Sequence, residues 1–325
     1  MDGLINKESV MGNKITIIGS GSVGSTIAYT LAVTGVASEI VLIDVNTQKS
    51  LGEALDIRQA TPFCGPVSVY AGTYDDADGS DLVILTSGVA RKPGQTRLDL
   101  AQTNVNITKS VIPEITKHAP DAIYIVVANP VDILTYQLIK YSGIPANHIV
   151  GSGTLLDTSR LCARLAEYYR INQQDVHAYV FGEHGDSSFV PWSMANISNI
   201  PIDEYASCLE HKDPMMPVLV HSEVEDYIRK SGGKVIARKG ATFYAVSAAV
   251  TSLAKAILCG ADSALCVSSM LGGEYGISDV CLSMITIVGH SGVKGRLPAP
   301  LTNEELALMR HSADCLKGVI SQLEF

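Results

Sequence analysis

The chain has 325 residues, of which 46% are hydrophobic and 18% charged, and this length and composition predict a globular protein of two domains. A formal net charge of −9 disfavours sequence-independent nucleic-acid binding and docking on anionic membranes, because both need a basic surface. The seven cysteines form no C-x-x-C pair, which indicates reduced thiols and no metal site. No apolar stretch suits a signal peptide or a membrane-spanning helix, so we expect a cytoplasmic protein.

Short apolar runs alternate with amphipathic segments through the first half of the chain. The predicted strands are 15–18, 39–43, 67–70, 82–85, 123–127 and 148–150, and the helices between them include 23–33, 48–60 and 104–118. This alternation implies right-handed crossovers and a mostly parallel sheet. After about residue 150 the alternation weakens, and the predicted helices 154–170 and 214–230 lie among less regular segments.

The predicted fold is therefore α/β, with a Rossmann-type doubly wound parallel sheet followed by a mixed α+β domain. We place the first domain at residues 1–150, where 1–13 form an N-terminal extension, and the substrate-binding and catalytic domain at 151–325.

A glycine-rich segment, GSGSVG at 19–24, follows the first predicted strand and begins a helix. Gly19 permits a tight turn, Gly21 lets a pyrophosphate approach the backbone, and Gly24 lets helix and strand pack closely. The N–H groups of the helix start, which includes Val23, would face the phosphates. Asp44 ends the second apolar run, 20 residues after Gly24, where a carboxylate can bond ribose hydroxyls and repel a 2′-phosphate. The sequence therefore predicts a site for NAD rather than NADP.

A histidine in a glycine-flanked turn, His184, is a candidate acid/base. A single histidine is more often structural, so a catalytic role needs a partner, and the predicted helix 154–170 offers Asp157. A carboxylate on one imidazole nitrogen fixes the tautomer, raises the pKa and leaves the other nitrogen to exchange a proton. Arg160 shares a helix face with Asp157 and could bind a substrate carboxylate. The alternative, a salt bridge within the helix between Asp157 and Arg160, is what the spacing alone favours.

Two further segments follow predicted strands. The segment 87–97 contains glycine, proline and polar residues, which is typical either of a mobile loop that closes over a ligand or of a solvated basic loop. Asn129 precedes Pro130 at the end of another strand, where a turn could direct its side chain into the crevice at the edge of the sheet.

Taken together, these segments resemble the lactate/malate dehydrogenase family over essentially the whole chain. The resemblance rests on GSGSVG with Asp44, RKPGQTRLDL at 91–100, VANPVDILTY at 127–136, and GSGTLLDTSRL at 151–161 followed by GEHGD at 182–186. It implies an NAD-dependent enzyme that interconverts a small 2-oxo acid and its L-2-hydroxy acid. Overall the chain is most similar to the L-lactate dehydrogenases. The presence of the chemical residues argues against a non-catalytic protein that only kept the fold.

The resemblance implies a role for each matched residue. His184 exchanges a proton with the substrate oxygen while the nicotinamide transfers a hydride, and Asp157 orients His184. Arg160 binds the substrate carboxylate through a two-pronged charge-assisted bond. When the loop closes, Arg97 polarises the substrate carbonyl.

Asn129 and Thr242 complete the implied site. Asn129 bonds the reacting oxygen and lies beside the cofactor, and Thr242 lines the substrate pocket. The family also implies a homo-oligomer, a tetramer.

Arg91 leaves the substrate open. Lactate enzymes of this family usually carry an uncharged residue at that loop position, whereas malate enzymes carry arginine. A second substrate carboxylate in a closed pocket needs a counter-charge, and a cation facing the methyl group of pyruvate would be buried unpaired. The sequence therefore keeps L-malate/oxaloacetate as an alternative to L-lactate/pyruvate, unless Arg91 faces solvent.

Cys162 occupies a position that bears on activation by a sugar bisphosphate. Many bacterial lactate dehydrogenases bind fructose 1,6-bisphosphate through a basic residue two positions after the arginine that binds the substrate carboxylate, and here that position is Cys162. His177, the other matched position, is present. Since one cation is missing, we expect little or no activation by this sugar bisphosphate.

Overall fold

The computed structural model describes residues 13–90, 96–210 and 218–325, through which one large sheet runs. Its first six strands are β1 (Lys14–Ile18), β2 (Glu39–Ile43), β3 (Ser68–Ala71), β4 (Leu82–Leu85), β5 (Ile123–Val126) and β6 (Ile149–Gly151). Their spatial order is β6-β5-β4-β1-β2-β3, and every neighbouring pair is parallel. This is the order of a doubly wound Rossmann sheet, so the predicted fold class is confirmed.

Helices cover both faces of this parallel sheet. They are α1 (Ser22–Thr34), α2 (Thr47–Ala60), α3 (Arg97–His118) and α4 (Val131–Tyr141). Successive strand residues point to opposite faces, which explains why the strands are apolar without alternation. On one face Ile15 and Ile17 lie in the same apolar cluster as Leu31 of α1, and on the other face Leu85 clusters with Leu134 of α4.

The second half of the chain begins with α5 (Leu155–Tyr169). It continues with β7 (Val176–His177), β8 (Asn196–Ile197), β9 (Ile200–Pro201), α6 (Ile202–Cys208), α7 (His221–Lys239) and α8 (Tyr244–Leu258), then β10 (Ser263–Gly272), β11 (Ser278–Gly289), β12 (Gly292–Arg296) and α9 (Asn303–Ile320). Strands β7 to β9 form a small antiparallel sheet.

Strands β10 to β12 are antiparallel and extend the large sheet, because Ser268 of β10 pairs with Gly151 of β6. Within the described residues the sheet therefore has nine strands and continues past residue 150, where we predicted the domain boundary. Helix α8 of the second half also packs against α1 of the first.

Two predicted helices differ from the structure. Helix α3 begins at Arg97 rather than at 104, because the Thr96 hydroxyl accepts a bond from the Asp99 N–H and the Asp99 carboxylate accepts one from the Thr96 N–H. Arg97 is thus the first residue of a helix and not part of the preceding loop. Helix α7 covers His221–Lys239 rather than 214–230, and residues 211–217 lie outside the described ranges.

Within the parts of the chain that the structure describes, no helix combines the length and the apolar character that crossing a bilayer requires.

Candidate active site

The glycine-rich turn lies between β1 and α1. Gly19 has φ +104°, in the region that favours glycine, and its N–H donates to Ile43 O at 2.7 Å. A Cβ on Gly24 would lie 1.9 Å from Gly19 O, so only glycine lets the helix start pack against the turn. A Cβ on Gly21 would meet nothing within 4 Å, so the backbone there is open to a ligand.

Asp44 follows directly after β2 and holds this turn in place. One carboxylate oxygen accepts a bond from the Ser20 N–H at 2.6 Å, and the other accepts one from the Asn46 N–H at 2.8 Å. Each oxygen of a carboxylate has a further lone pair, so both can still accept a bond from a ligand. The residue is half-buried at the carboxyl end of its strand, the edge where open α/β sheets bind ligands.

A cavity of about 580 Å³ lies at this edge of the sheet, between the two halves of the chain. Predicted site residues from both halves line it, namely Gly21, Val23, Gly24, Asn129, Asp157, Arg160, His184 and Thr242. Gly19, Asp44 and Arg97 are described but do not belong to the lining. Arg91 lies outside the described residues.

On the wall of this cavity, His184 and Arg160 share a single carboxylate. Asp157 Oδ2 lies 2.5 Å from His184 Nδ1, and Asp157 Oδ1 accepts a bond from Arg160 Nη1 at 2.8 Å. The salt bridge within helix α5 and the contact with His184 therefore coexist, because each uses a different carboxylate oxygen. With Nδ1 occupied, Nε2 is the imidazole nitrogen left for a ligand.

This arrangement shifts both pKa values. Burial would raise the pKa of the Asp157 carboxyl, but the charge of His184 and its hydrogen bond outweigh burial and lower it below its ordinary value. Burial likewise opposes protonation of His184, but the Asp157 carboxylate outweighs it and raises the pKa of the imidazole. The pair thus favours a protonated histidine beside an ionised aspartate, a state that can donate a proton from Nε2.

The turn that carries His184 is held by groups far away in the chain. The His184 N–H donates to Asp132 Oδ2 on α4 at 2.8 Å, and the Glu183 N–H donates to the Ser312 hydroxyl on α9 at 2.8 Å. Gly182, at φ +89°, pairs with Ser283 of β11 through two backbone bonds of 2.9 and 3.0 Å. Burial raises the pKa of Asp132 to about 6.

Arg97 forms an ion pair with Asp186, two residues after His184, and both side chains are mainly exposed. The ion pair places the start of α3 next to the His184 turn. Asn129 lies at the start of α4, where its Oδ1 accepts a bond from the Val131 N–H at 3.3 Å. Thr242 is half-buried, just before α8.

Sequence reasoning missed two features of this cavity. Asn104, buried on α3, donates to Asn129 O at 2.6 Å and also bonds both backbone groups of Val89, so it ties the loop after β4 to the turn at Asn129. In the sequence, the feature that could have indicated this role is a polar side chain at a buried helix position.

The second missed feature is Gly232 of α7, which faces Arg160. A Cβ on Gly232 would lie 3.7 Å from Arg160 Nη2. The signal was a pair of glycines inside a helix, where glycine is unfavourable.

Comparison with known sequences identifies the family. Residues 13–151 match the lactate/malate dehydrogenase NAD binding domain, and residues 154–324 match the lactate/malate dehydrogenase alpha/beta C-terminal domain. The chain belongs to the lactate/malate dehydrogenase family. The resemblance seen in the sequence motifs is thereby confirmed, as is the prediction of an NAD-dependent oxidoreductase that acts on 2-hydroxy acids.

Relatives in this family extend over nearly the whole chain. An L-lactate dehydrogenase of Acetivibrio thermocellus is 45% identical, covering 96% of this chain and 97% of its own length. One from Clostridium botulinum is 47% identical, covering 95% of this chain and 96% of its own length.

A solved structure of the minor L-lactate dehydrogenase from Enterococcus mundtii superposes with a TM-score of 0.90 at 40% identity, covering 96% of this chain and 99% of that one. A lactate dehydrogenase from a deep-sea metagenome library superposes equally well, with a TM-score of 0.90 at 32% identity and coverage of 95% of this chain and 98% of that one.

Proposed function

We propose that this member of the lactate/malate dehydrogenase family is an L-lactate dehydrogenase, which reduces pyruvate to L-lactate with NADH and catalyses the reverse reaction. The observation that carries the proposal is the Asp157 carboxylate, which bonds His184 and Arg160 inside one cavity. An acid/base and an anion-binding group are thereby fixed side by side, as a 2-oxo acid requires. Relatives that carry the name L-lactate dehydrogenase at 45–47% identity support pyruvate as the substrate.

In this mechanism Arg160 binds the substrate carboxylate with its planar guanidinium, which suits bidentate contact with a carboxylate. His184 donates the proton on Nε2 to the oxo oxygen during reduction and takes it back during oxidation. Asp157 holds the ring in the tautomer that presents Nε2 and stabilises the imidazolium. When bound, NADH supplies the hydride that reduces the carbonyl carbon.

Three further residues complete the proposed substrate site. Arg97 exchanges its ion pair with Asp186 for the substrate carbonyl and polarises it. Asn129 donates to the same oxygen, and Thr242 lines the wall of the pocket. This assignment rests on the position of Asn129 and Thr242 on the cavity and on the link between Arg97 and the His184 turn.

NAD, rather than NADP, is the cofactor we assign to the glycine-rich end of the cavity. The open backbone at Gly21 suits a pyrophosphate, and the start of α1 offers unpaired N–H groups, to which Val23 and Gly24 belong. Gly24 also lies too close to Gly19 O for any side chain, as the tight helix packing of a dinucleotide-binding turn requires. Asp44 would bond the adenosine ribose hydroxyls, and its charge would repel a 2′-phosphate.

We further propose a homotetramer located in the cytoplasm. Several large apolar side chains are exposed on the surface of a single chain, namely Leu51 and Leu55 on successive turns of α2 and Phe63 just after it. Exposed apolar patches of this kind mark protein–protein contacts. The number of four copies comes from the family resemblance, so light scattering should give four times the chain mass of 34.5 kDa, and any smaller mass would contradict the tetramer.

L-Malate dehydrogenase activity is the second candidate, and Arg91 favours it. The test is kcat/KM with NADH for pyruvate and for oxaloacetate, measured on the natural protein, on Arg91→Gln and on Lys92→Gln as a control that removes the neighbouring cation. A preference for pyruvate that survives both substitutions supports the lactate assignment. A preference for oxaloacetate that only Arg91→Gln reverses would show that Arg91 pairs with a second carboxylate, and the protein would be a malate dehydrogenase.

A further inference from the structure

Ser312 is a buried polar residue on a mainly apolar helix face. It belongs to α9, where Met309, Ala313 and Leu316 are also buried, and it has no exposed surface. A serine inside a helix commonly bonds a carbonyl of its own helix. The contacts of Ser312 instead reach across to the turn that carries His184, more than 120 residues earlier in the chain.

The contacts of Ser312 form a closed ring of three hydrogen bonds. The Glu183 N–H donates to Ser312 Oγ at 2.8 Å, Ser312 Oγ lies 3.0 Å from Ser187 Oγ, and the Ser187 hydroxyl donates to the Glu183 carboxylate. An ionised carboxylate only accepts, so the Ser187 proton must point to Glu183. Ser187 then has only an acceptor to offer Ser312, and the Ser312 hydroxyl must donate to it.

This ring encloses the segment from Glu183 to Ser187, which contains His184. Ser312 of α9 contacts both ends of this segment, the backbone N–H of Glu183 and the hydroxyl of Ser187. From the other side, the Asp132 carboxylate of α4 accepts a bond from the His184 N–H at 2.8 Å. The fit is close, because a Cβ on Gly182 would lie 2.7 Å from Ser312 Oγ. The contact between His184 and Asp157 therefore depends on where α9 sets the turn.

We propose that Ser312 is a positioning residue for the reaction, one that acts through the turn and holds the His184 ring at its contact with Asp157. The proposal rests on the function proposed above only for the role of His184 in catalysis. Without the Ser312 hydroxyl the Glu183 N–H loses a buried partner, the turn loosens, and the bond between His184 and Asp157 weakens. Because that bond favours the imidazolium, His184 then titrates at lower pH.

The test compares Ser312→Ala with Ser321→Ala, which removes another serine hydroxyl from the end of the same helix, where it bonds Gly318 O at 3.0 Å and is exposed. Two quantities are measured: kcat/KM for pyruvate against pH, and the pKa of His184 by NMR titration, with its signal assigned from its loss in His184→Gln. The NMR titration needs no activity, so failure of the proposed reaction would not obscure the result.

We expect Ser312→Ala to lower kcat/KM by about tenfold, because the His184 ring is then held less firmly in the geometry that donates its proton. The alkaline limb of the pH profile and the pKa of His184 should both move to lower pH, while Ser321→Ala leaves them unchanged. Ser187→Ala opens the same ring at a half-buried position and should shift both in the same direction if Ser312→Ala does not fold. An unchanged His184 pKa in the folded variants, whatever their melting temperature, would overturn the proposal.

Discussion

Replacing Asp157 with asparagine removes the charge that His184 and Arg160 share but nearly preserves the shape of the side chain. The carboxylate is buried, with its side chain 9% exposed, so solvent screens its interactions little. Asparagine can neither stabilise the imidazolium nor hold the same imidazole tautomer. Since replacing the aspartate of a catalytic aspartate–histidine pair by asparagine lowers the rate by about 10⁴-fold, kcat/KM for pyruvate reduction should fall by up to about 10⁴-fold.

The pH dependence gives a second, independent readout. In the proposed mechanism reduction needs protonated His184. Because Asp157 raises the pKa of that imidazole, we expect the natural protein to stay active to higher pH than an ordinary histidine would allow. In Asp157→Asn the raised pKa is lost, and the decline of reduction should begin at lower pH. Steady-state rates from about pH 5 to about pH 9, which bracket histidine titration, would show the shift.

The matched control is Glu167→Gln. Glu167 pairs with Arg164 on the same helix with the same spacing, at 2.9 Å, but this pair is exposed. Its loss should change neither the rate nor the pH profile. The reasoning would be refuted if Asp157→Asn kept the alkaline limb of the natural protein, because Asp157 would then not stabilise the imidazolium.

Three further outcomes follow from the structure. Burial raises the pKa of Asp132 to about 6 in the folded protein, so its contribution to the free energy of unfolding should fall by up to about 3 kcal/mol as pH rises from about 4 to about 6. Urea unfolding of Asp132→Asn should lack this fall. Gly24→Ala should weaken NADH binding and lower the melting temperature, because its Cβ would collide with Gly19 O. Gly52→Ala, in open space on α2, should instead stabilise the folded protein by about 0.5–1 kcal/mol. Equal effects of the two substitutions in calorimetry would show that the close packing at Gly24 does not matter. Fructose 1,6-bisphosphate should leave the half-saturating pyruvate concentration unchanged, since Cys162 offers no charge, and a large drop would show another anion site.

The geometry of the glycine-rich end of the cavity could be predicted from the sequence because it is local. The glycine spacing and Asp44 belong to one strand-turn-helix-strand unit, where the chain itself sets the distances. The contacts of Asp157 could be predicted only in part. The spacing of Asp157 and Arg160 correctly indicated a salt bridge, but the contact of Asp157 with His184, 27 residues later, depended on family resemblance.

The supports of the His184 turn could not be predicted in the same way. Asp132 and Ser312 lie 52 and 129 residues from the positions that they bond, and no spacing rule reaches that far. The lack of a long-range spacing rule also explains why the sequence did not predict the last three strands of the large sheet. Strands β10 to β12 add to β6 in antiparallel register, which depends on packing between the two halves rather than on any local pattern. The predicted start of α3 was wrong for a local reason, because the sequence analysis did not use the capping pair of Thr96 and Asp99.

The shared carboxylate has a consequence for how charge enters the site. With Asp157 ionised, Arg160 charged and His184 protonated, the three groups sum to one positive charge, and with His184 neutral they sum to zero. A monoanionic 2-oxo acid therefore neutralises the protonated form and leaves the unprotonated form negative. Since a nearby anion favours the imidazolium, substrate and proton should enter together. The protein as a whole carries −9 and the Asp132 carboxylate bonds the same turn, so the positive charge of these three groups is local and is present only while His184 is protonated.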